Sequence, residues 1–247
     1  MLNEQTIEKL MDMHLREMAK AFRGQRQDSA LQVMSFEDRF GLLVDAQWSQ
    51  RKSKRIENLM RKATFKFPHA RMEDIDFSPE RLLNRDMILE LSQCKYIRDK
   101  RNVLIMGAAG AGKTYLSNAL GASACRQLYK VKYIRLPELL VDMSIARGDG
   151  SYKTLIGNYK KVQLLILDEW MHQPVTESQA GDVFEIIESR YQDSSTIFVA
   201  QSEPAGWHKQ IGSGVIADAI VDRIVYNSYE IMMNGEVNMR EKTGLKK

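Results

Sequence analysis

An octapeptide, Gly-Ala-Ala-Gly-Ala-Gly-Lys-Thr at positions 107–114, restricts this chain to few folds. It completes the pattern GxxxxGK[ST], follows the apolar run 103–106 and precedes a helical pattern. In that context the glycines let several backbone N–H groups face a phosphate at the positive end of a helix. The alternative is a glycine- and alanine-rich turn with a surface lysine, which would need neither an apolar strand before it nor a helix after it. We therefore predict an ATP-binding phosphate loop that consists of Gly107, Ala108, Ala109, Gly110, Ala111, Gly112, Lys113, Thr114 and Tyr115.

A second apolar run, residues 164–167, ends in the carboxylates of Asp168 and Glu169. A buried strand of this kind places its last side chains at the carboxyl edge of a parallel sheet, beside the phosphate loop. We predict that Lys113 contacts the β- and γ-phosphates and that Thr114 and Asp168 hold Mg²⁺. Glu169 would orient and deprotonate the attacking water. Acidic loops after strands are common, but the phosphate loop upstream favours the catalytic interpretation.

Short apolar runs alternate with helical patterns from about position 81 onwards. The predicted strands are 103–106, 131–136, 164–167 and 196–200, and the predicted helices are 82–94, 113–127, 137–146 and 177–191. Buried β-branched runs that alternate with helices indicate a parallel sheet covered by helices on both faces. The predicted fold class is therefore α/β.

The region before this pattern is predicted to be all-helical. Apolar residues recur at helical spacing in residues 7–18, 35–48 and 49–63, and Ser35 is a possible first cap for the second helix. Two prolines then lie in a stretch that alternates charged and aromatic residues, which is typical of an extended linker. We predict a small all-α amino-terminal domain at 1–66, a linker at 67–80 and the α/β domain at 81–247.

Two residues downstream of the acidic strand are candidates for contacting the γ-phosphate. Gln201 follows the predicted strand 196–200, where its amide can either reach the nucleotide or simply cap the strand. Arg223 lies near the end of an apolar helical pattern, and it can complete a neighbouring subunit's site as an arginine finger. A helix-terminal cation and a surface ion pair are the alternatives for Arg223.

Basic residues are concentrated in two segments. Glu57 is the only acid between positions 51 and 71, a stretch that contains Arg51, Lys52, Lys54, Arg55, Arg61 and Lys62. A looser group follows at Lys153, Lys160 and Lys161. Such one-signed runs are either solvated helix faces or surfaces that bind nucleic-acid phosphates. These nine residues are the candidate contacts to a nucleic-acid backbone, and no base-reading module is recognisable.

Composition argues against several other classes of protein. No apolar run approaches the roughly 20 residues that span a bilayer, and acids at Glu4, Glu8 and Asp12 interrupt the apolar core that a secretory signal needs. The two cysteines form no CxxC pair, and the four histidines are scattered. We therefore expect a cytoplasmic protein without a membrane partner and without a histidine- or cysteine-ligated metal.

With these elements in place, the chain resembles the IstB family, the ATP-binding helper proteins of bacterial insertion sequences, which are AAA+ ATPases related to DnaC-type helicase loaders. The resemblance covers nearly the whole chain and rests on residues 35–48, 51, 55, 75–77, 107–114, 164–170, 189–191, 195–197, 207 and 217–223. The phosphate loop and the acidic strand are common to many ATPases, whereas segments 35–48 and 217–223 are more specific. The resemblance implies an AAA+ domain with a short or absent lid, with Gln201 as sensor and Arg223 as finger.

The resemblance also implies a function: ATP-dependent self-assembly on duplex DNA and recruitment or stimulation of a transposase, regulated by hydrolysis. A helicase loader is the nearest alternative, although the amino-terminal region resembles the IstB family more. A kinase for a small molecule or nucleotide would need an arginine-bearing lid, which is not apparent. A module that holds ATP only structurally would not need Glu169.

Three features depart from the family's usual pattern. Ala108 and Ala109 lie where a proline is frequent, which leaves the backbone contacts intact. Glu169 lies where some relatives carry Asp, and it should activate water at least as well. Gln47 lies where an acid is frequent.

Overall fold

A computed structural model describes residues 2–25, 27–212, 214–235, 238 and 239. The chain divides into two compact units, Met1–Asn58 and Leu59–Lys247. The first unit contains helices α1 (Leu2–Asp12), α2 (Arg16–Gln25), α3 (Ser29–Gln32) and most of α4 (Phe36–Ala63). Of the helices in the described ranges, none has both the length and the apolar character needed to cross a bilayer.

The amino-terminal helices differ in their bounds from the predicted ones. The predicted helix 7–18 is two helices, because His14 has a left-handed backbone with φ 58° between α1 and α2. The predicted helices 35–48 and 49–63 are one continuous helix of 28 residues, α4. Ser35 caps α4 as predicted, since its Oγ accepts the Asp38 N–H at 3.1 Å. Buried Gln47 accepts the Met18 N–H at 3.3 Å, a role that an acid would also fill.

The second unit is an α/β domain. Its strands are β1 (Asn102–Gly107), β2 (Val131–Arg135), β3 (Leu164–Trp170), β4 (Ser195–Ala200) and β5 (Ser228–Met233). The helices that follow α4 are α5 (Arg85–Ser92), α6 (Lys95–Arg98), α7 (Lys113–Arg126), α8 (Leu136–Asp149), α9 (Tyr152–Lys160), α10 (Glu177–Arg190), α11 (Trp207–Ile211) and α12 (Val215–Val225).

The five strands form one parallel sheet in the order β2-β3-β4-β1-β5. Successive side chains of a strand point to opposite faces, so each strand contributes to two cores. On β1, Val103 and Ile105 join the core that includes α7, while Leu104 and Met106 join the core of α8, α10 and α12. This confirms the predicted parallel sheet with helices on both faces. The carboxyl ends of β1, β3 and β4 meet at one edge.

Strand β5 was not expected from the sequence. Among the described strands it pairs with β1 alone, at the edge of the sheet, and four of its six residues are at least partly exposed. An edge strand with a charged residue, Glu230, in its middle lacks the continuous apolar run that marks the central strands. Helix α9 was also absent from the predicted elements.

The segment predicted as a linker, 67–80, is part of the second unit, which begins at Leu59. Ile75 in this segment and Phe65 just before it are buried in the core that includes α7. Gly121 of α7 provides the space, because a Cβ there would lie only 2.6 Å from Phe65 Cε1. The Phe67 N–H donates to the buried Asn118 Oδ1 at 2.9 Å. Side-chain packing thus orders a stretch whose prolines suggest an extended chain.

Candidate nucleotide-binding site

The phosphate loop joins the carboxyl end of β1 to the amino end of α7, as predicted. Gly110 and Gly112 have φ angles of 83° and 88°, which side-chain-bearing residues rarely adopt. Gly112, the residue before α7, has no side chain with which to cap the first turn of the helix. The leading N–H groups of a helix form the positive end of its dipole, which favours a bound anion at this place.

Lys113 lies inside the curve of this loop. Its side chain is buried, and Nζ donates to the carbonyl oxygens of Gly107 and Ala108, each at 2.7 Å. These bonds hold the ammonium group where a phosphate cradled by the loop would lie. The geometry suits the predicted contact with the β- and γ-phosphates.

Thr114 and Asp168 meet beside the loop. Thr114 Oγ1 donates to Asp168 Oδ2 at 2.9 Å, and Asp168 is only 3% exposed. Because the hydroxyl proton points to the carboxylate, the lone pairs of Thr114 Oγ1 are available to a cation. Hydroxyl and carboxylate oxygens are the donors that Mg²⁺ prefers, so these two residues fit the predicted metal site.

Tyr133 of β2 is a third member of this cluster, and the sequence did not indicate it. Its hydroxyl donates to Asp168 Oδ2 at 2.7 Å. Burial, and then the nearby Asp168 charge, raise the pKa of Tyr133, so the hydroxyl stays protonated and donates. In the sequence this tyrosine is one more apolar position of a strand, and no motif distinguishes it.

Glu169 follows Asp168 in an irregular end of β3. Its φ is 54°, and the register between β3 and β4 shifts between Leu167 and Trp170. Such an irregularity changes the direction of side chains at a strand end. The Glu169 side chain is 32% exposed and borders an open groove of about 430 Å³ beside the start of α8. Water can therefore reach its carboxylate.

Arg135 holds the Glu169 carboxylate. Arg135, at the end of β2, lies next to Asp168 in the sheet register, and its Nη1 donates to Glu169 Oε1 at 3.2 Å. The same guanidinium pairs with Glu138 at 2.8 Å. Hydrogen bonds to Glu138 and then to Glu169 raise the pKa of Arg135, which stays charged.

Replacing Arg135 with alanine should raise ATP turnover in the absence of DNA by about two- to fivefold. A partly exposed ion pair contributes roughly 0.2–1 kcal/mol, and its loss frees Glu169 to turn towards water. Phosphate release at saturating ATP measures the effect. The control Glu138→Gln removes the other partner of Arg135 and should leave turnover unchanged. Equal or slower turnover in Arg135→Ala would contradict a restraining role.

Arg81 is a further buried cation that the sequence did not indicate. Its Nη2 donates to the Ala111 carbonyl at 2.6 Å and its Nη1 donates to the Asp76 carbonyl at 3.0 Å. Burial lowers the pKa of Arg81, and Asp76 partly opposes that effect. The side chain thus braces the phosphate loop from segment 76–81, a contact between residues distant in sequence.

Tyr115 and Gln201 occupy different surroundings. The Tyr115 ring packs against Phe67, and its hydroxyl donates to Asp74 Oδ2 at 3.3 Å, so its side chain faces segment 67–74 rather than the loop. Gln201 directly follows β4 and is exposed at the carboxyl edge of the sheet. Since β4 lies between β1 and β3, Gln201 emerges between the loop and the acidic strand.

Arg223 lies at the opposite edge of the sheet. It shares a small surface pocket with Asn102 and Thr196, at the amino ends of β1 and β4. Its Nε pairs with Glu188, and its guanidinium rests on the Phe184 ring at 5.2 Å. The surface ion pair is therefore present within one chain, and Arg223 does not join its own chain's phosphate loop.

All nine predicted DNA-contacting residues are exposed. Six of them lie on the single helix α4, and Lys52 Nζ lies 4.8 Å from the centre of the Trp48 ring. Lys153 and Lys160 lie on α9, and Lys161 follows it.

Comparisons with known proteins identify the family and the fold of this chain. The family model of IstB-like ATP binding proteins matches residues 8–247. The chain is 38% identical to the insertion sequence ATP-binding protein y4pL of Sinorhizobium fredii, over 98% of this chain and 100% of that protein. AMPPCP-bound DnaA from Aquifex aeolicus is 22% identical with a TM-score of 0.59, over 71% of this chain and 53% of DnaA. The DnaC helicase loader is 16% identical with a TM-score of 0.57, over 67% of this chain and 97% of DnaC. The α/β domain thus has the AAA+ P-loop fold.

Proposed function

This chain belongs to the IstB-like ATP-binding protein family, and we propose that it is a cytoplasmic ATPase that assembles on duplex DNA and recruits or stimulates a transposase. The observation that carries the proposal is the convergence of Lys113, Thr114, Asp168 and Glu169 at one edge of the sheet. The relative in Sinorhizobium fredii is described as an insertion sequence ATP-binding protein. Transposition of such an element is therefore the process that we assign.

The positions of the site residues support hydrolysis of ATP to ADP and phosphate. The loop N–H groups and Lys113 bind the β- and γ-phosphates. Glu169 orients a water and accepts its proton as the water oxygen attacks the γ-phosphorus and ADP leaves. When bound, Mg²⁺ would neutralise phosphate charge, and Thr114 and Asp168 are the residues that would hold it.

Self-assembly would complete the site. Arg223 lies at the amino edge of the sheet, away from its own phosphate loop, so any contact with a γ-phosphate involves a second copy. Arg223 would exchange its pairing with Glu188 for charge on the phosphoryl group. Gln201, at the carboxyl edge, would register the γ-phosphate from within the same chain.

The basic side of α4 supports the DNA partner. Arginine and lysine on a helix face suit phosphate contacts, which depend little on base sequence. Segment 35–48, which resembles the family, forms the cap and the first half of this same helix. One element would therefore carry both the DNA contacts and the family-specific surface.

Glutamate substitutions at Arg51, Lys52, Lys54 and Arg55 together should weaken duplex binding by about hundredfold or more at moderate salt. If all four residues contact phosphates, the plot of log K for DNA binding against the logarithm of the salt concentration should become less steep by about 3–4. ATP affinity should not change, since these residues are outside the nucleotide site. Fluorescence anisotropy with labelled duplex over a salt series measures both quantities. Glutamate substitutions at Lys153, Lys160 and Lys161 test the second basic segment. If DNA binding is lost in this triple variant and kept in the quadruple variant, the contact surface lies at α9 and not on α4.

Sedimentation of the purified chain with duplex DNA tests the proposed function. The comparison is between no nucleotide, ADP and a non-hydrolysable ATP analogue. Growth into a large protein–DNA particle only with the ATP analogue is the expected result. A monomer indifferent to DNA and nucleotide would contradict assembly, and the kinase and binding-module alternatives would then return.

A further inference from the structure

The Asp168 carboxylate accepts three hydrogen bonds from the residues that the structure describes. Oδ2 accepts from Thr114 Oγ1 at 2.9 Å and from the Tyr133 hydroxyl at 2.7 Å, and Oδ1 accepts from the Glu169 N–H at 2.8 Å. An ionised carboxylate offers about four lone-pair positions. These donors therefore leave about one position, on Oδ1, for a further partner.

Two of the three donors belong to the nucleotide motifs themselves, whereas Tyr133 comes from the neighbouring strand. Tyr133 is opposite Ile166 in the sheet register, and its side chain is buried in the same core. On the outer edge of β2, the Tyr133 carbonyl accepts from Thr64 Oγ1 at 3.0 Å. Because both its ring and its backbone are held, the phenol cannot follow Asp168 if the carboxylate rotates.

We propose that Tyr133 is a positioning residue that orients Asp168 towards the Mg²⁺ of bound Mg–ATP. This inference rests on the proposed function, since it requires Mg–ATP to bind at this loop. Mg²⁺ demands near-ideal octahedral geometry, so a carboxylate that can rotate holds its ligand shell less well. The hydrogen bond from Tyr133 also withdraws negative charge from Oδ2, which by itself would weaken the attraction of the carboxylate for Mg²⁺. Because Oδ1 is the oxygen with a free position, we expect the gain from fixed orientation to outweigh this loss of charge.

The test is a Mg²⁺ titration of the full chain with a fluorescent, non-hydrolysable ATP analogue. In Tyr133→Phe, the Mg²⁺ concentration at half-saturation should rise by about tenfold, which is the scale of one hydrogen bond to a charged group. Binding of the analogue in EDTA should stay at the level of the unaltered chain. In an Asp168→Asn background, Tyr133→Phe should add less than about a twofold change, since coupled residues are non-additive.

Tyr96→Phe is the matched control. Tyr96 is buried in the same core, and its hydroxyl makes no hydrogen bond to any residue that the structure describes. This control should keep the original Mg²⁺ half-saturation.

A purely structural hydroxyl would behave differently. Tyr133→Phe would then lower the melting temperature while the Mg²⁺ half-saturation of the folded protein stayed unchanged, which would overturn the inference. If Asp168→Asn loses Mg²⁺ dependence and Tyr133→Phe retains it, the inference fails and the proposed function stands. If the unaltered chain binds the analogue without any Mg²⁺ dependence, both fail.

Discussion

Lys113→Ala should reduce ATP affinity by at least about hundredfold and abolish ATP-dependent assembly on DNA. The ammonium group lies inside the phosphate loop, held by the Gly107 and Ala108 carbonyls, where it can bond to phosphates bound by the loop. Each hydrogen bond to a charged group contributes about 1.5–3 kcal/mol. Loss of two such bonds between Lys113 and the phosphates is therefore enough for this effect. Isothermal titration calorimetry with the ATP analogue and sedimentation with duplex DNA measure the two outcomes.

The Lys113→Ala variant also removes two hydrogen bonds from the loop, so folding must be checked. Circular dichroism and the melting temperature show whether the variant is folded. Lys95→Ala, which changes an exposed lysine on α6, is the matched control and should bind ATP normally. Unchanged ATP affinity in a folded Lys113→Ala protein would exclude this loop as the phosphate site.

Glu169→Gln should bind ATP within about twofold of the unaltered chain and reduce turnover by about 10²–10⁴-fold. Glutamine preserves the size of the side chain but cannot accept the proton of the attacking water. Under the proposed function, assembly needs bound ATP and disassembly needs hydrolysis, so the protein–DNA particle should persist after ATP addition. Phosphate release and the lifetime of the sedimenting particle are the two measurements.

Glu177→Gln, which changes an exposed glutamate in the first turn of α10, controls for loss of an acidic charge and should retain turnover. Normal turnover in Glu169→Gln would remove Glu169 from its assigned role. It would also remove the basis for the expected acceleration in Arg135→Ala. The two variants thus test one mechanism in opposite directions, one by removing the base and the other by releasing it.

Local patterns were sufficient for the central architecture. Buried strands such as β3 are continuous apolar runs, and a phosphate loop needs glycines at left-handed positions such as Gly110 and Gly112. Both signals lie within a few consecutive residues, so sequence alone carries them. Edge strand β5 lacks such a signal because one half of its surface faces solvent, and its pairing with β1 depends on a partner more than 100 residues away.

The same distinction separates the parts of the site. Spacing alone predicted Lys113, Thr114, Asp168 and Glu169, because each belongs to a motif whose chemistry requires that residue at that place. Only the folded chain shows the phenol of Tyr133 on Asp168, the guanidinium of Arg135 on Glu169 and the buried Arg81 behind the loop. These contacts join residues 30–35 positions apart in the chain. They arise where neighbouring strands and the segment before β1 meet. Local periodicity predicts a strand or a helix, but it does not predict which strands pair and therefore which side chains meet.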